Sequence, residues 1–282
     1  MTADRERPNY ARVCDYLLGG TTNYRADQAH ARLLSELYPA APVVARASRA
    51  FTGRAVRWAA RGGIRQFIGI GSGLPTSLPG LPAPHEAARE TCPQARYVYA
   101  DADPEVRTLG RGMLHGTPDV MVVTGDIRDP RRVLGACAGF LDPARPLGVV
   151  MTAVLQFLSP AEAQDAVAGW KNLITPGSCM IISCPTSEWN PELIARYEDL
   201  RSRCGHRIRG HSIRDITRFF DGLDLDDPSW GPQEGGCVVP VGQWRTEGGG
   251  LRQPDPVVYG GLGWKTSAAT ARTESSRTPR PG

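Results

Sequence analysis

Three short runs hold the residues whose types and spacing suit chemistry. The run F-I-G-I-G-S-G at 67–73 reads as a strand entering a glycine turn at Gly69, Gly71 and Gly73, where missing Cβ atoms let backbone amides approach a ligand closely. A dinucleotide turn of the form G-x-G-x-x-G would need glycine at Leu74 or at Thr76, and Pro75 disfavours a helix start poised there for a pyrophosphate. In Y-V-Y-A-D-A-D-P at 97–104 a second strand ends in acids, and Asp101 is placed to accept from the hydroxyls of a ribose. In T-G-D-I-R-D at 124–129, Asp126 follows a third strand and suits an adenine amino group, with Ile127 beside it to pack the ring. Asp103 before Pro104 and Asp129 before Pro130 read as helix N-caps instead. The three runs converge on one nucleoside.

These residues need a sheet to gather them. Short apolar runs at Gln66–Ile70, Arg96–Ala100, Val120–Thr124, Leu147–Ala153 and Cys179–Cys184 alternate with helical stretches at His85–Thr91, Pro104–His115, Pro130–Gly139 and Pro160–Leu173. Alternation of this kind predicts an α/β fold with a parallel, doubly wound sheet. Three helices precede it, Tyr10–Leu18, Ala26–Tyr38 and Pro42–Gly62, bounded by glycine pairs and Pro39. After the fifth strand come helices near Pro191–Arg201 and Ser212–Phe220, then apolar runs Val238–Trp244 and Val257–Trp264 that suit an antiparallel hairpin. The division expected is a helical N-terminal cap at 1–62, a ligand-binding domain at 63–266 and a disordered tail at 267–282.

Composition narrows the function. A net charge of +4 over 282 residues is too small an excess to mark a nucleic-acid binder. The seven cysteines are scattered, odd in number and never spaced C-x-x-C, which speaks against a disulfide framework or a zinc site. No run of eighteen apolar residues occurs, and residues 1–9 lack an apolar core segment, so the expectation is a cytoplasmic protein with no membrane partner. The stretch R-S-R-C-G-H-R-I-R-G-H at 201–211 suits a phosphate, a carboxylate or an acyl carrier, or is a solvated loop.

Beyond these patterns the chain resembles the actinobacterial S-adenosyl methyltransferase family, once known as a domain of unknown function, over nearly its whole length. The resemblance rests on A-R-V-C-D-Y-L-L-G-G at 11–20 with Asn23-Tyr24, R-A-F at 49–51 and G-I-R-Q-F-I-G-I-G-S-G-L-P-T at 63–76. H-E at 85–86, F-F-D-G-L at 219–223 and Y-G-G-L-G at 259–263 complete it. It implies a Rossmann-like class I methyltransferase sheet with a helical N-terminal cap, S-adenosylmethionine at the glycine turn, no metal, and methyl transfer to a small-molecule acceptor, in specialised metabolism. The sequence departs from the family where an acid is usual at Gly69, a basic-acidic pair at Thr21-Thr22, an amide at Ser48 and an imidazole at Gln156.

Methyl transfer is an in-line displacement at an activated sulfonium, so the protein must align two reactants and, for some acceptors, remove a proton. Candidates for the acceptor side are Tyr16 on the lid helix, His85 after the glycine loop and Gln156 past the fourth strand. Another alkyl transfer, an intramolecular cyclisation, or non-catalytic sensing of the cofactor are the alternative uses of such a site. A nicotinamide oxidoreductase is disfavoured by Leu74 and by the lack of a Tyr-x-x-x-Lys pair.

Overall fold

Local chemistry starts each helix that borders the site. Asn9 caps the first, its side chain accepting from the N–H of Ala11 (2.9 Å), and Gly19 closes it in the left-handed conformation at φ 102°. Asp103 accepts from Glu105 N–H and Asp129 from Arg132 N–H, each just before a proline that occupies the first helical turn. Both act as the N-caps their positions imply. The computed structural model describes residues 5–202, 208–228, 236–246 and 257–267. The expected tail at 267–282, apart from residue 267, and residues 203–207 of the basic stretch lie outside the described residues.

The described elements run α1 (Tyr10–Leu18), α2 (Arg25–Leu37), α3 (Ala41–Arg61), β1 (Gln66–Ile70), α4 (Pro84–Thr91), β2 (Arg96–Asp101), α5 (Pro104–Met113) and β3 (Val120–Thr124). There follow α6 (Pro130–Ala136), β4 (Gly148–Thr152), α7 (Pro160–Leu173), β5 (Cys179–Pro185), α8 (Pro191–Ser202), α9 (Ile213–Arg218), β6 (Asp224–Leu225), β7 (Val239–Pro240) and β8 (Val258–Trp264). The strands form one sheet in the order β3-β2-β1-β4-β5-β8-β6, with β7 also on β8. β1 to β5 are mutually parallel and β8 is antiparallel to β5.

Alternate residues of these strands serve two cores. One face carries Ile68, Val98, Val149 and Met180 against Val133, Val167 and Trp170 of α6 and α7; the other carries Phe67, Tyr97, Val150 and Ile181 against Phe51, Val56 and Ala88 of α3 and α4. Thus α3 covers the sheet, while α1 stands over its carboxyl end with α2 packed against it. Because β1 lies between β2 and β4, the chain reverses direction across the sheet at β1, which opens a crevice at the carboxyl ends there.

The last two apolar runs do pair antiparallel as expected, but only at Val239↔Gly260 and Pro240↔Tyr259. β8 pairs along its whole length with β5, from Cys179↔Trp264 to Pro185↔Val258, and β7 joins it for two residues. The glycines of Y-G-G-L-G explain this placement: a Cβ at Gly260 would lie 2.8 Å from the Ile182 carbonyl oxygen and 2.9 Å from Phe51 Cζ, so only a bare backbone fits between the sheet and α3. The two-residue β6 is too short to leave a periodic signal.

α1 is fastened by polar groups. Arg12, 1% exposed, donates through Nε to Asp27 of α2 (2.7 Å) and through a terminal nitrogen to Glu105 of α5, with its guanidinium 4.9 Å from the Tyr24 ring centre. Burial works against the Arg12 charge, and Asp27 and Glu105 outweigh it, raising the guanidinium above its ordinary value. The Asp15 carboxylate accepts from the Thr76 hydroxyl, Thr22 N–H (2.8 Å) and Asn23 Nδ2–H (2.9 Å).

Candidate functional site

The crevice at the carboxyl ends of β1, β2, β3 and β4 is a cavity of about 490 Å³, within the range of small-molecule sites, roughly 300–1,000 Å³. Its walls include Gly69, Gly71, Gly73, Asp101, Asp126, Ile127 and Gln156. The glycine turn is held by the neighbouring strand: Ser72 N–H donates to the Ala100 carbonyl (3.2 Å) and Gly73 N–H to Asp101 Oδ2 (3.0 Å). Gly71 and Gly73 have φ of 58° and 60°, and a Cβ at Gly71 would lie 2.1 Å from a Val154 methyl. The turn therefore requires glycine at 71 for both conformation and space.

Asp101 ends β2 with each oxygen already accepting one backbone N–H, Oδ2 from Gly73 and Oδ1 from Asp103 (3.0 Å). A carboxylate has further lone pairs, so it can hold the turn and still accept from a ligand hydroxyl. Next to it, Asp103 Oδ2 accepts from Asn9 Nδ2–H (2.6 Å), which brings the start of α1 onto the site. Asp126 stands at the rim, paired with the Arg128 guanidinium (2.6 Å); that hydrogen bond lowers its pKa below the ordinary carboxylate value. Ile127 is buried, and its carbonyl accepts from Trp170 Nε1–H (3.0 Å).

At Gly69 the structure shows what replaces the acid expected from the resemblance. A Cβ there would sit 2.8 Å from Tyr97 Oη and 3.3 Å from Ser72 Cβ. Tyr97 is 1% exposed and packed between Phe67 (ring centres 6.1 Å) and Tyr99 (4.6 Å), so it cannot yield. Burial raises the Tyr97 phenol far above its ordinary value, which keeps it a neutral hydroxyl on the cavity wall. Across from it, Arg49 also lines the cavity, donating to the Leu74 carbonyl (3.2 Å).

Two of the three acceptor-side candidates do not line the cavity, which corrects the expectation for them. Tyr16 packs in the apolar cluster of α1 and α2 with Val13, Leu17 and Leu34. His85 is buried on the α4 side of β2, its Nδ1 2.8 Å from Tyr99 Oη. Burial depresses its pKa to about 4, and it is neutral near neutral pH. Gln156 does line the cavity, 1% exposed, with Nε2–H donating to Tyr10 Oη (3.1 Å) and Oε1 without a partner. Just before it, Ala153 turns the chain with φ 55°, a conformation that persists in L residues only where surroundings hold it. Cys179 and Cys184 are fully buried, and burial raises their thiols well above the ordinary value, with Asp226 adding to it at Cys179, so they pack as apolar groups. Among the described residues no group of three or more His, Cys, Asp or Glu could hold a metal, and no helix is long and apolar enough to cross a membrane.

Sequence reasoning missed Asn9, Arg12, Asp15, Arg49 and Tyr97. Asn9, Arg12 and Asp15 recur every third residue in a helix whose other positions are mostly apolar, and that spacing of polar groups on a buried helix is a readable signal. Tyr97 and Arg49 left none, since their place depends on the packing of β2 and α3.

With this geometry in place, comparison with known proteins decides the family. The S-adenosyl methyltransferase family profile matches residues 1–266. The chain belongs to that family. A solved structure of a DUF574-family protein from Streptomyces avermitilis is 33% identical, covers 93% of this chain and 99% of its own, and superposes with a TM-score of 0.81. A protein from Thermobifida fusca is 30% identical over 94% of this chain and 97% of its own, also at 0.81. Among curated proteins none matches. The chain is an S-adenosylmethionine-dependent methyltransferase of the class I α/β fold, and S-adenosylmethionine is its cofactor.

Two consequences are testable. Gly69→Asp alone should cost about 1–3 kcal/mol from overpacking against Tyr97, and adding Tyr97→Phe should recover part of it; a double variant with no higher thermal midpoint than the single one contradicts the steric account. For His85, the depressed folded pKa means that stability is fully present above pH 6.5 and is lost as pH falls toward 4. The loss should be about 3 kcal/mol, seen by urea unfolding, and absent in His85→Gln; equal acid sensitivity of the two proteins would contradict it.

Proposed function

We propose that this methyltransferase acts on a small molecule, in the cytoplasm and in specialised metabolism. The supporting observation is the division of one cavity. One end carries the glycine turn, Asp101 and Asp126; the other is walled by Tyr38, which follows α2, and by apolar side chains of α3 and α8, among them Val44 and Ile194. A concave cavity of this size suits a compact acceptor better than a protein or nucleic-acid strand. The six described cysteines are all unpaired, in keeping with a reducing compartment.

The residues present fit the cofactor. When bound, S-adenosylmethionine supplies an electrophilic methyl group on a sulfonium. Asp101 is positioned to accept from ribose hydroxyls while its bonds to Gly73 and Asp103 fix its rotamer. Asp126 and Ile127 provide an acceptor and an apolar surface for the adenine. At the amino-acid end, the Arg49 guanidinium offers a partner for a carboxylate, and Tyr97 Oη a neutral acceptor for an ammonium in place of an acid at residue 69. The apolar wall excludes water from the acceptor, so alignment supplies much of the rate.

The test is incubation with methyl-labelled S-adenosylmethionine and a fractionated cell extract. Label should enter the low-molecular-mass fraction, with S-adenosylhomocysteine formed in equal amount. Label confined to protein or nucleic acid would contradict the small-molecule reading, and tight binding without turnover on any fraction would favour a sensor.

A further inference from the structure

Gln156 stands where the two ends of the cavity meet. Its turn abuts the glycine loop, since Val154 fills the space beside Gly71. Its own carbonyl accepts from Arg209 N–H (2.8 Å), between Ile208 and Gly210 of the apolar end. The side-chain Nε2–H is used by Tyr10, whereas Oε1 is buried and unpartnered. A buried acceptor left open is costly, so a ligand that offers a hydrogen there is favoured.

The chamber beyond is aromatic and aliphatic. Tyr38 and Trp189 face each other with ring centres 5.2 Å apart at 53°, and Val44, Ile194 and Tyr197 continue the wall. Flat rings pack well among such side chains. The carboxylate on this wall, Glu198, has Oε1 accepting from Gly210 N–H (3.3 Å).

We infer that the acceptor is an arylamine, its ring lying among Tyr38, Trp189 and Tyr197 and its N–H donating to Gln156 Oε1; this rests on the methyltransferase reading of the cavity. An amide can receive a hydrogen bond but cannot take the proton. The nucleophile at this position must therefore attack while its hydrogen is still attached, which a neutral amine does through its lone pair and a hydroxyl does poorly. The N–C bond forms as the C–S bond breaks, with its electron pair passing to sulfur to leave a thioether. The methylated nitrogen, now cationic, then releases its proton to water. An aliphatic amine is charged at neutral pH, with its lone pair occupied and its burial among apolar walls costly; an arylamine is neutral. Turned over, the amide would present its NH2 group and suit an oxyanion instead, so amine and hydroxyl acceptors separate the two orientations.

The experiment is calorimetric titration of the S-adenosylhomocysteine-loaded protein with 1-naphthylamine, 1-naphthol and naphthalene, followed by product mass analysis with S-adenosylmethionine. 1-Naphthylamine should bind about tenfold more tightly than naphthalene and be N-methylated, while 1-naphthol binds without efficient methylation. In Gln156→Leu the advantage over naphthalene should vanish with S-adenosylhomocysteine affinity retained, and Trp189→Ala should weaken all three. Equal affinity for amine and hydrocarbon, no binding of any of the three, or faster methylation of 1-naphthol would overturn the inference, the last pointing to Glu198 as a base. Loss of S-adenosylhomocysteine binding by the unaltered protein would instead strike the methyltransferase reading itself.

Discussion

The buried polar face of α1 is the constraint on which the rest depends. Arg12 and Asp15 lie on one side of a nine-residue helix capped by Asn9, and burying those two charges unpaired would cost several kcal/mol. The partners of all three come from different parts of the chain: Asp27 from α2, Glu105 and Asp103 from the β2–α5 region, Thr76 from the loop after β1. Only one docking of α1 satisfies all of them. That docking roofs the crevice at the carboxyl ends of the strands and turns a groove into a chamber.

The same economy runs through the floor of the site. Asp101 holds the glycine turn and caps the chain entering α5, and still has lone pairs for a ligand. Tyr97 fills the volume that a side chain at 69 would need, so a neutral hydroxyl stands where the resemblance led to the expectation of an acid. Gly71 and Val154 share one space, tying the conformation of the glycine turn to the turn that carries Gln156. Cofactor end and acceptor end are thereby mechanically joined.

Much of this was legible in the sequence. Period and the placement of proline and glycine gave α1, β1, β3 and α7 to the residue and the other main elements to within a few, because each local signal agreed with the fold. The three runs around Gly71, Asp101 and Asp126 do meet on one cavity. What failed depended on packing at a distance. Tyr16 and His85 carry suitable chemistry, but one is drawn into the α1–α2 core and the other behind β2 onto Tyr99. The short pairing of β8 with β7 was legible, but its full-length partner β5 could not be read from its own residues, since its glycines report a crowded neighbourhood without saying whose.

If α1 completes the cofactor site through its polar face, ligand at the glycine turn must also steady the helix above it. Amide hydrogen exchange with and without S-adenosylhomocysteine measures this directly. The account predicts slowed exchange at 71–76 and 101–103 together with slowed exchange across residues 10–18. Protection confined to the glycine turn, with α1 unchanged, would contradict it.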